Sequence, residues 1–468
     1  MTDTGESAVR AKATKRIILL LDGTWNDMDF GHTDTNIVRL QEIITGSLAE
    51  RERCHRNQPL NPTKVATSYG DPDGPENIVF YERGVGTGWR DRFKGGIFGV
   101  GLDDKVRNAY RFLAYHYEEG AQVFIFGFSR GSYTARSLIG WIASAGLLRR
   151  ETCTEENEWA AWRYYRTPPA QRLSGTWTAL GDLVHPRSKV EIACVGVFDT
   201  VGALGIPLSR FSQFNRDQYE FHDVELSSIT RLNLHAIALD EHRRPFEASP
   251  WRKPKFKRFA SFTEQVWFSG VHSDVGGGYV PGEDRNSSAK QALDDITLDW
   301  MLKNVKARYH DFPVDHYQSY PGNEDRWPTT GPGWEMAAQH ESRRHIYRLM
   351  PLTLRSVGNY PLTPLSWRQY NGCYNRHAVA MWEKVHISAI ARLGQTVPMA
   401  GKNRRYLAHN LIAALPTIRA TYHDQQVPAR TNAEIRVVDW DGMQFDPNDP
   451  EDCAAVLELV NQTAERLK

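Results

Sequence analysis

Residues 122–136 read QVFIFGFSRGSYTAR, in which an apolar run leads directly into GFSRG at 127–131. The apolar run is typical of a buried strand, and the small residues after it are typical of the start of a helix. Glycines two residues before and after Ser129 remove side chains that would collide with the strand and the helix at so sharp a turn. The pattern predicts a strand, a tight turn and a helix that present Ser129 as a nucleophile. The alternative is an ordinary turn whose serine caps the helix.

Apolar runs of strand length alternate with helical patterns on both sides of this segment. Strands are predicted at 17–21, 77–81, 122–128, 190–198 and 264–271, and helices at 103–117 and 227–240. Because the strands are apolar on both faces, the sequence predicts an α/β fold with a doubly wound, mostly parallel sheet. Ligands of such sheets bind beyond the carboxyl ends of the strands.

The chain is expected to have one catalytic domain with additions. Residues 1–15 are polar and predict a disordered tail, and 16–290 form the catalytic domain. Within it, 146–188 lack strand periodicity and are interpreted as a helical insertion that caps the site. Residues 291–468 are expected to form a mainly helical C-terminal extension, either a cap or an interaction module.

Candidate catalytic side chains stand at the carboxyl ends of predicted strands. Ser129 ends the strand at 122–128, Asp199 follows the strand at 190–198, and His272 follows the next one. Serine, acid and histidine in this order match the triad of α/β-hydrolases. In that arrangement His272 takes the proton from Ser129, while Asp199 orients the imidazole and stabilises its charged form.

Backbone amides close to Ser129 are candidates for binding the oxyanion of an acyl-transfer intermediate. The amide of Arg130 stands at the N-terminus of the predicted helix, where the helix dipole favours negative charge. The loop after the first strand supplies Gly23 and Thr24 as a second source of donors.

Three further titratable residues are secondary candidates. Asp274 lies two residues beyond His272 and is either a substitute triad acid or an anchor for the glycine turn that follows. His386 is either a rival base or a packing residue. Asp22 follows the first strand and is a candidate because of that position.

A divalent metal site is the alternative interpretation of the same sheet edge, with Ser129 as a bystander. Carboxylate oxygens and imidazole are suitable ligands for such an ion. The ligands in that case are Asp22, Asp199, His272 and Asp274. The preferred interpretation needs no metal and no cofactor.

Composition excludes several other classes of function. The net charge of +1 gives no basis for a nucleic-acid partner, and the five cysteines form no C-x-x-C pair. The start is polar, with no signal-peptide core, and no apolar stretch approaches the roughly 20 residues that span a bilayer. We therefore expect synthesis in the cytoplasm, with any secretion independent of a signal peptide.

Several motifs together resemble one known family. They are LDGTWND (21–27), GVGTGW (84–89), FGVGLDDKVRNAYRFL (98–113), GFSRGSYTARSL (127–138), GVFDTVGALG (196–205), HAIALDEHRRPF (235–246) and VWFSGVHSDVGGGY (266–279). The family is a group of largely uncharacterised α/β-hydrolase domains that includes the catalytic domain of phospholipase effectors delivered by type VI secretion. The run KVHISAIARL at 384–393 is weakly similar as well.

The resemblance implies a serine esterase on a trimmed α/β-hydrolase sheet, with glycerophospholipids as substrates of some members. Carried over by position, it again names Ser129, Asp199 and His272. We therefore expect a lipase or A-type phospholipase, with regiospecificity, oligomeric state and any immunity or delivery partner left open. The alternatives are an esterase for a small soluble ester and a non-catalytic binding module on a hydrolase scaffold.

One local composition bears on the membrane. Residues 243–262 hold seven Lys or Arg against a single Glu, interleaved with aromatic residues. Basic and aromatic side chains favour the surface of an anionic bilayer, so peripheral membrane contact is one interpretation. A solvated loop whose aromatic residues pack onto the sheet is the interpretation that we favour.

Overall fold

The computed structural model is described for part of the chain. The described residues are 14–23, 34–49, 64–84, 100–201, 226–243, 246, 248–251, 261–279, 291–315, 329–343, 352–359, 383–423 and 434–468. The tail expected over 1–15 lies almost wholly outside these residues, and the first strand begins at Lys15.

A single large sheet organises the described part of the chain. Its strands are β1 (Lys15–Leu21), β2 (Lys64–Ala66), β3 (Glu76–Glu82), β4 (Gln122–Phe128), β5 (Ile192–Phe198), β6 (Thr230–Ala238), β7 (Phe262–Phe268), β8 (Glu383–His386) and β11 (Arg436–Val438). A separate hairpin consists of β9 (Thr396–Met399) and β10 (Lys402–Arg405). The order across the sheet is β11-β8-β7-β6-β5-β4-β1-β3-β2, and only β2 pairs antiparallel with its neighbour.

Helices cover both faces of this sheet. They are α1 (Asn36–Gly46), α2 (Val100–His116), α3 (Arg130–Ala145), α4 (Glu155–Arg166), α5 (Ser174–Gly181), α6 (His272–Gly276), α7 (Leu293–Lys306), α8 (Ile387–Arg392), α9 (His409–His423) and α10 (Pro450–Leu467). Residues of α2, α3 and α4 form one buried cluster with one face of the sheet, and residues of α1 and α7 form another with the opposite face. The mostly parallel, doubly wound α/β fold expected from the sequence is confirmed.

The register of the sheet aligns the ends of the strands that carry the candidate residues. Leu21 of β1 pairs with Gly127 of β4, and Phe128 pairs with Phe198 of β5. Residues that follow these three strands therefore meet at one edge, which is where ligands of parallel sheets bind.

The prediction of a helix at 227–240 is wrong. This segment forms β6, a central strand whose residues are almost all buried. The strand is not a continuous apolar run, because Arg231, Asn233 and His235 alternate with apolar residues, and this period of two indicates a strand. The helix prediction therefore misread the periodicity of the segment.

The C-terminal extension contains the expected helices, and it also contributes to the main sheet. β8 pairs with β7 and β11 pairs with β8, both parallel. Side chains of α8, α9 and α10 form a third buried cluster against this end of the sheet. The sheet thus continues through the boundary expected at residue 290.

The insertion at 146–188 lies beside the helices of one face. Trp162 of α4 packs edge-on against Trp141 of α3 with ring centroids 4.8 Å apart, and both rings are buried. Its role as a cap stays a prediction. Among the described helices, none has the length and apolar character needed to cross a bilayer.

Candidate active site

The turn at Ser129 has the geometry that the sequence predicts. Ser129 has φ 56° and ψ −118°, a left-handed backbone conformation that is costly for a residue with a side chain. A Cβ on Gly131 would lie 1.9 Å from the Leu21 carbonyl oxygen, and one on Gly127 would lie 2.7 Å from the Gly131 oxygen. The strand and the helix can therefore approach this closely only with glycine at both positions.

The side chain of Ser129 faces His272 and makes no capping hydrogen bond within α3. Its Oγ lies 2.8 Å from His272 Nε2. His272 is the first residue of α6, four positions after the end of β7 at Phe268, and is buried against the rings of Phe128 and Phe246. The alternative of a serine that merely caps the helix is therefore not what the structure shows.

Asp199 lies on the other side of the imidazole. Its Oδ2 is 2.6 Å from His272 Nδ1, and its Oδ1 accepts from the Ala238 amide at 3.0 Å. Asp199 has a φ of 39° and is fully buried at the end of β5. The structure thus brings Ser129, His272 and Asp199 into one hydrogen-bonded chain.

Arg355 is a further partner of the Asp199 carboxylate, and no sequence pattern predicted it. Its guanidinium donates to Asp199 Oδ1 at 2.6 Å and to Oδ2 at 3.0 Å. It also donates to the carbonyl oxygens of Ala238 and Phe246. No local pattern marks this arginine, because only the tertiary fold brings residues 352–359 to the end of β5.

Burial and charge act in opposite directions on Asp199. Burial by itself raises the pKa of this carboxyl, but the Arg355 guanidinium and His272 outweigh burial and hold the pKa well below its usual range. Burial lowers the pKa of His272 below its ordinary value of 6.5, although Asp199 opposes that shift. The site at neutral pH therefore has an ionised Asp199 and a neutral imidazole, as a general base requires.

Glu241 is a second residue of the site that the sequence patterns did not predict, although it lies within the motif at 235–246. Its Oε2 accepts from the backbone amide of His272 at 3.3 Å and from Arg243 at 2.9 Å. Ser342 Oγ donates to the other oxygen. The carboxylate therefore fixes the start of α6, which carries His272.

The oxyanion candidates differ in their surroundings. Arg130 begins α3, so its amide is among those at the positive end of the helix dipole. Gly23 lies against the elbow, since a Cβ there would be 3.2 Å from Ser129 Cβ, but its amide donates to Asp22 Oδ1 at 2.7 Å. Thr24 lies outside the described residues.

Asp22 has polar partners of its own. Thr35 Oγ1 and Tyr81 Oη donate to its carboxylate at 2.9 and 2.8 Å. Burial raises the pKa of Asp22 to about 6, despite the hydrogen bonds that favour its charged form. Its contacts connect the end of β1 with β3 and with the start of α1.

Asp274 and His386 have contacts that are structural. Asp274 accepts from His340 Nδ1 at 2.6 Å and from the Val271 amide at 3.0 Å, while the described contacts of His272 Nδ1 involve Asp199. His386 caps α8 through the Ser388 amide and stacks on Phe268. Burial lowers its pKa to about 3.

The alternative metal cluster does not assemble. Within the described ranges, no group of three or more His, Cys, Asp or Glu side chains is placed to hold a metal ion. Asp22 and Asp274 are each hydrogen-bonded to neighbours other than Asp199 and His272.

A model of one protein family matches residues 15–304, which is more than half of the chain. The family is described as type VI secretion system, phospholipase effector Tle1-like, catalytic domain. The chain belongs to this Tle1-like family. Phospholipase function is therefore supported at the level of the family, and all three residues of the hydrogen-bonded chain lie inside the match.

A relative from Saccharomyces cerevisiae extends the comparison. The uncharacterised protein YEL023C is 28% identical over 241 residues, which cover 50% of this chain and 32% of the relative. The chain thus matches about a third of the length of that protein.

Two solved structures are similar to this Tle1-like chain at low identity. The crystal structure of an uncharacterised protein from Pseudomonas aeruginosa is 17% identical, with a TM-score of 0.37, over 70% of this chain and 49% of the other. The structure of the Tle1 effector bound to the VgrG spike is 20% identical, with a TM-score of 0.29, over 58% and 52%. Similarity at these scores carries no conclusion about activity or partners.

The basic and aromatic segment at 243–262 is described only in part. Phe246 and Trp251 are buried, whereas Phe262 is 40% exposed. Phe262 begins β7, so it lies at the sheet edge opposite to Ser129. The described aromatic residues near the site therefore pack inward, and membrane contact through this segment stays a prediction.

Proposed function

We propose that this Tle1-like protein is a serine hydrolase that cleaves carboxylic esters of phospholipids through an acyl-enzyme on Ser129. The observation that carries the proposal is the chain of short contacts from Ser129 Oγ to His272 Nε2 and from His272 Nδ1 to Asp199. The family supports a phospholipid substrate. The strained backbone at Ser129 supports a functional role, since such strain concentrates at active sites.

In the first half-reaction, Ser129 Oγ attacks the ester carbonyl while His272 Nε2 takes its proton. The oxyanion that forms faces the N-terminus of α3, where the Arg130 amide donates to it. The intermediate then expels the alcohol, here a lysophospholipid, which receives the proton from His272. The products are acyl-Ser129 and free alcohol.

In the second half-reaction, water attacks acyl-Ser129 with His272 again as the base. The carboxylic acid leaves and Ser129 recovers its proton from His272. Asp199 stays ionised in both half-reactions and accepts a hydrogen bond from His272 Nδ1, which holds the imidazole in place. The proposed export route is signal-independent, by the type VI system for which the family is named, with delivery and immunity partners yet to be identified.

The test uses vesicles of a phospholipid with two different acyl chains, such as 1-palmitoyl-2-oleoyl phosphatidylglycerol. Fatty acid release by wild type, Ser129→Ala and Ser137→Ala is read by mass spectrometry. Ser137 is buried in the same helix and is a matched control for the substitution. We expect release by wild type and Ser137→Ala alone, and the acid released identifies the ester that is cut.

Two further assays separate the alternatives. A fluorophosphonate probe that labels wild type but not Ser129→Ala would support an active serine even if the vesicle lipid is not a substrate. Cleavage of short p-nitrophenyl esters without vesicle hydrolysis would replace the phospholipid by a small soluble ester. An absence of both labelling and hydrolysis would favour a binding module on a hydrolase scaffold.

A further inference from the structure

The carboxylate of Asp199 is bound by a buried arginine, Arg355, which lies outside residues 15–304, the range that the family model matches. The two terminal nitrogens of Arg355 donate to the two oxygens of Asp199 at 2.6 and 3.0 Å. Both side chains are buried, and a two-pronged contact of this kind fixes a carboxylate in orientation as well as in charge.

The segment that carries Arg355 is anchored on both sides of the arginine. The Thr353 amide donates to the His242 carbonyl oxygen at 3.1 Å, and the Gly358 amide donates to Glu383 Oε2 at 2.9 Å. Val357 is buried in the C-terminal cluster with α9 and α10. Arg355 therefore belongs to a segment outside residues 15–304 that is anchored to His242 on one side and to the C-terminal part of the fold on the other.

We propose that Arg355 is a positioning residue, which aims the Asp199 carboxylate at His272 and offsets its negative charge. This inference rests on the proposed serine-hydrolase function. It gives the C-terminal region a share in the site itself, in addition to any role as a cap or an interaction module.

The orientation follows from the occupied positions on the carboxylate. Asp199 Oδ1 is held by Arg355 and by the Ala238 amide, so Oδ2 faces His272 Nδ1. Without the guanidinium, the Ala238 amide is the one described donor besides His272 that still holds the carboxylate, so the carboxylate can rotate away from the imidazole. A misplacement of about 1 Å near reacting groups can cost about a hundredfold in rate.

The electrostatic effect of Arg355 on His272 follows from the charged groups around the imidazole. An ionised Asp199 alone would favour a protonated His272, whereas Asp199 together with Arg355 is neutral. Among the described residues, the charged groups that face or neighbour His272 are Asp199, Glu241, Arg243 and Arg355. Loss of Arg355 leaves two carboxylates against one cation, so the imidazole should become more basic.

The experiment compares wild type, Arg355→Met, Arg355→Lys and a matched control, Arg392→Met, all in the full-length chain. Arg392 is also buried in the C-terminal region, where it donates to the carbonyl oxygens of Glu335 and Ala337. Its loss should cost similar stability without touching Asp199. The titration of His272 is followed by NMR on protein with labelled histidine, and the signal is assigned with His272→Gln.

In Arg355→Met we expect the pKa of His272 to rise, because the charge that offsets Asp199 is gone, and kcat on a soluble ester to fall about tenfold to hundredfold. Arg355→Lys keeps the charge but not the two-pronged contact, so kcat should fall while the titration stays near wild type. Arg392→Met should leave the titration unchanged. The inference is overturned if Arg355→Met titrates like wild type, or if Arg392→Met shifts His272 as much.

If Arg355→Met misfolds, the comparison of Arg355→Lys with Arg392→Lys tests the inference instead. A fall in kcat for Arg355→Lys that Arg392→Lys does not share supports the inference, and equal activities overturn it. Because the titration needs no turnover, a shifted His272 in a protein that hydrolyses no ester would support the electrostatic role of Arg355. That same result would reject the proposed function.

Discussion

His272 Nε2 lies 2.8 Å from Ser129 Oγ, although 143 positions separate the two residues in the sequence. The contact forms because β4 and β7 run parallel in one sheet and deliver their carboxyl ends to the same edge. Ser129 immediately precedes α3, and His272 is the first residue of α6, so both stand where the chain passes from a strand into a helix. The geometry thus follows from backbone topology, and it requires the tight turn at Ser129.

Gly131→Ala should destabilise the protein by about 3 kcal/mol or prevent folding. The new Cβ would lie 1.9 Å from the Leu21 carbonyl oxygen, and the nearby atoms are backbone that cannot rotate away. Gly175→Ala is the control, since a Cβ there meets no described atom within 4 Å. Thermal unfolding should show a large loss for Gly131→Ala and none for Gly175→Ala. Equal melting temperatures would argue against the close strand-to-helix approach.

Hydrolysis of a soluble ester should lose its rate only at mildly acidic pH. Burial lowers the pKa of His272 below 6.5, and the base must be neutral to accept the Ser129 proton. Activity is therefore present above the pKa of the folded protein and disappears as pH falls through it. We expect the acidic limb of kcat/KM to be centred below pH 6.5. A limb centred above pH 7 would contradict this assignment.

Asp199→Asn and Asp274→Asn should behave differently. The first removes the charge that supports His272 and leaves the buried Arg355 without its carboxylate, so we expect a loss of about 10⁴-fold in kcat together with lower stability. The second weakens the contact with His340 and should retain most of the activity. Steady-state kinetics beside thermal unfolding makes the comparison. A dominant loss in Asp274→Asn would transfer the role of triad acid to that residue.

Asp22→Asn should change how stability depends on pH. Burial raises the pKa of Asp22 from 3.8 to about 6, so between these values the folded protein binds a proton that the unfolded chain does not. Wild type therefore loses stability as pH rises through this window, by at most about 3 kcal/mol from this residue. The variant lacks that slope. Urea unfolding at pH 4 and pH 6.5 should show the variant gaining relative to wild type, and parallel changes would refute the shift.

Part of the site could be read from local patterns. The elbow at 127–131 was predicted because strand, turn and helix start are all encoded within a few residues of Ser129. Asp199 and His272 were located by the same logic, as polar residues at the ends of apolar runs. These assignments rest on short-range constraints, which do not depend on how distant segments pack.

Other features had weak local signals or none. The segment at 227–240 has the length of a helix, but Arg231, Asn233 and His235 alternate with apolar residues as in a strand, and its pairing with β5 and β7 makes it β6. The direction of the Gly23 amide depends on how Asp22 is held by Thr35 and Tyr81.

The sequence by itself determined the α/β class, the elbow and the three residues that meet at the sheet edge, because apolar periodicity and glycine placement restrict the backbone locally. The tertiary structure decided what surrounds them. It brought Arg355 onto Asp199 across 156 positions and joined β8 and β11 to the sheet. Such contacts depend on sheet order and on the desolvation of buried charges, which are properties of the packed molecule and not of any segment of it.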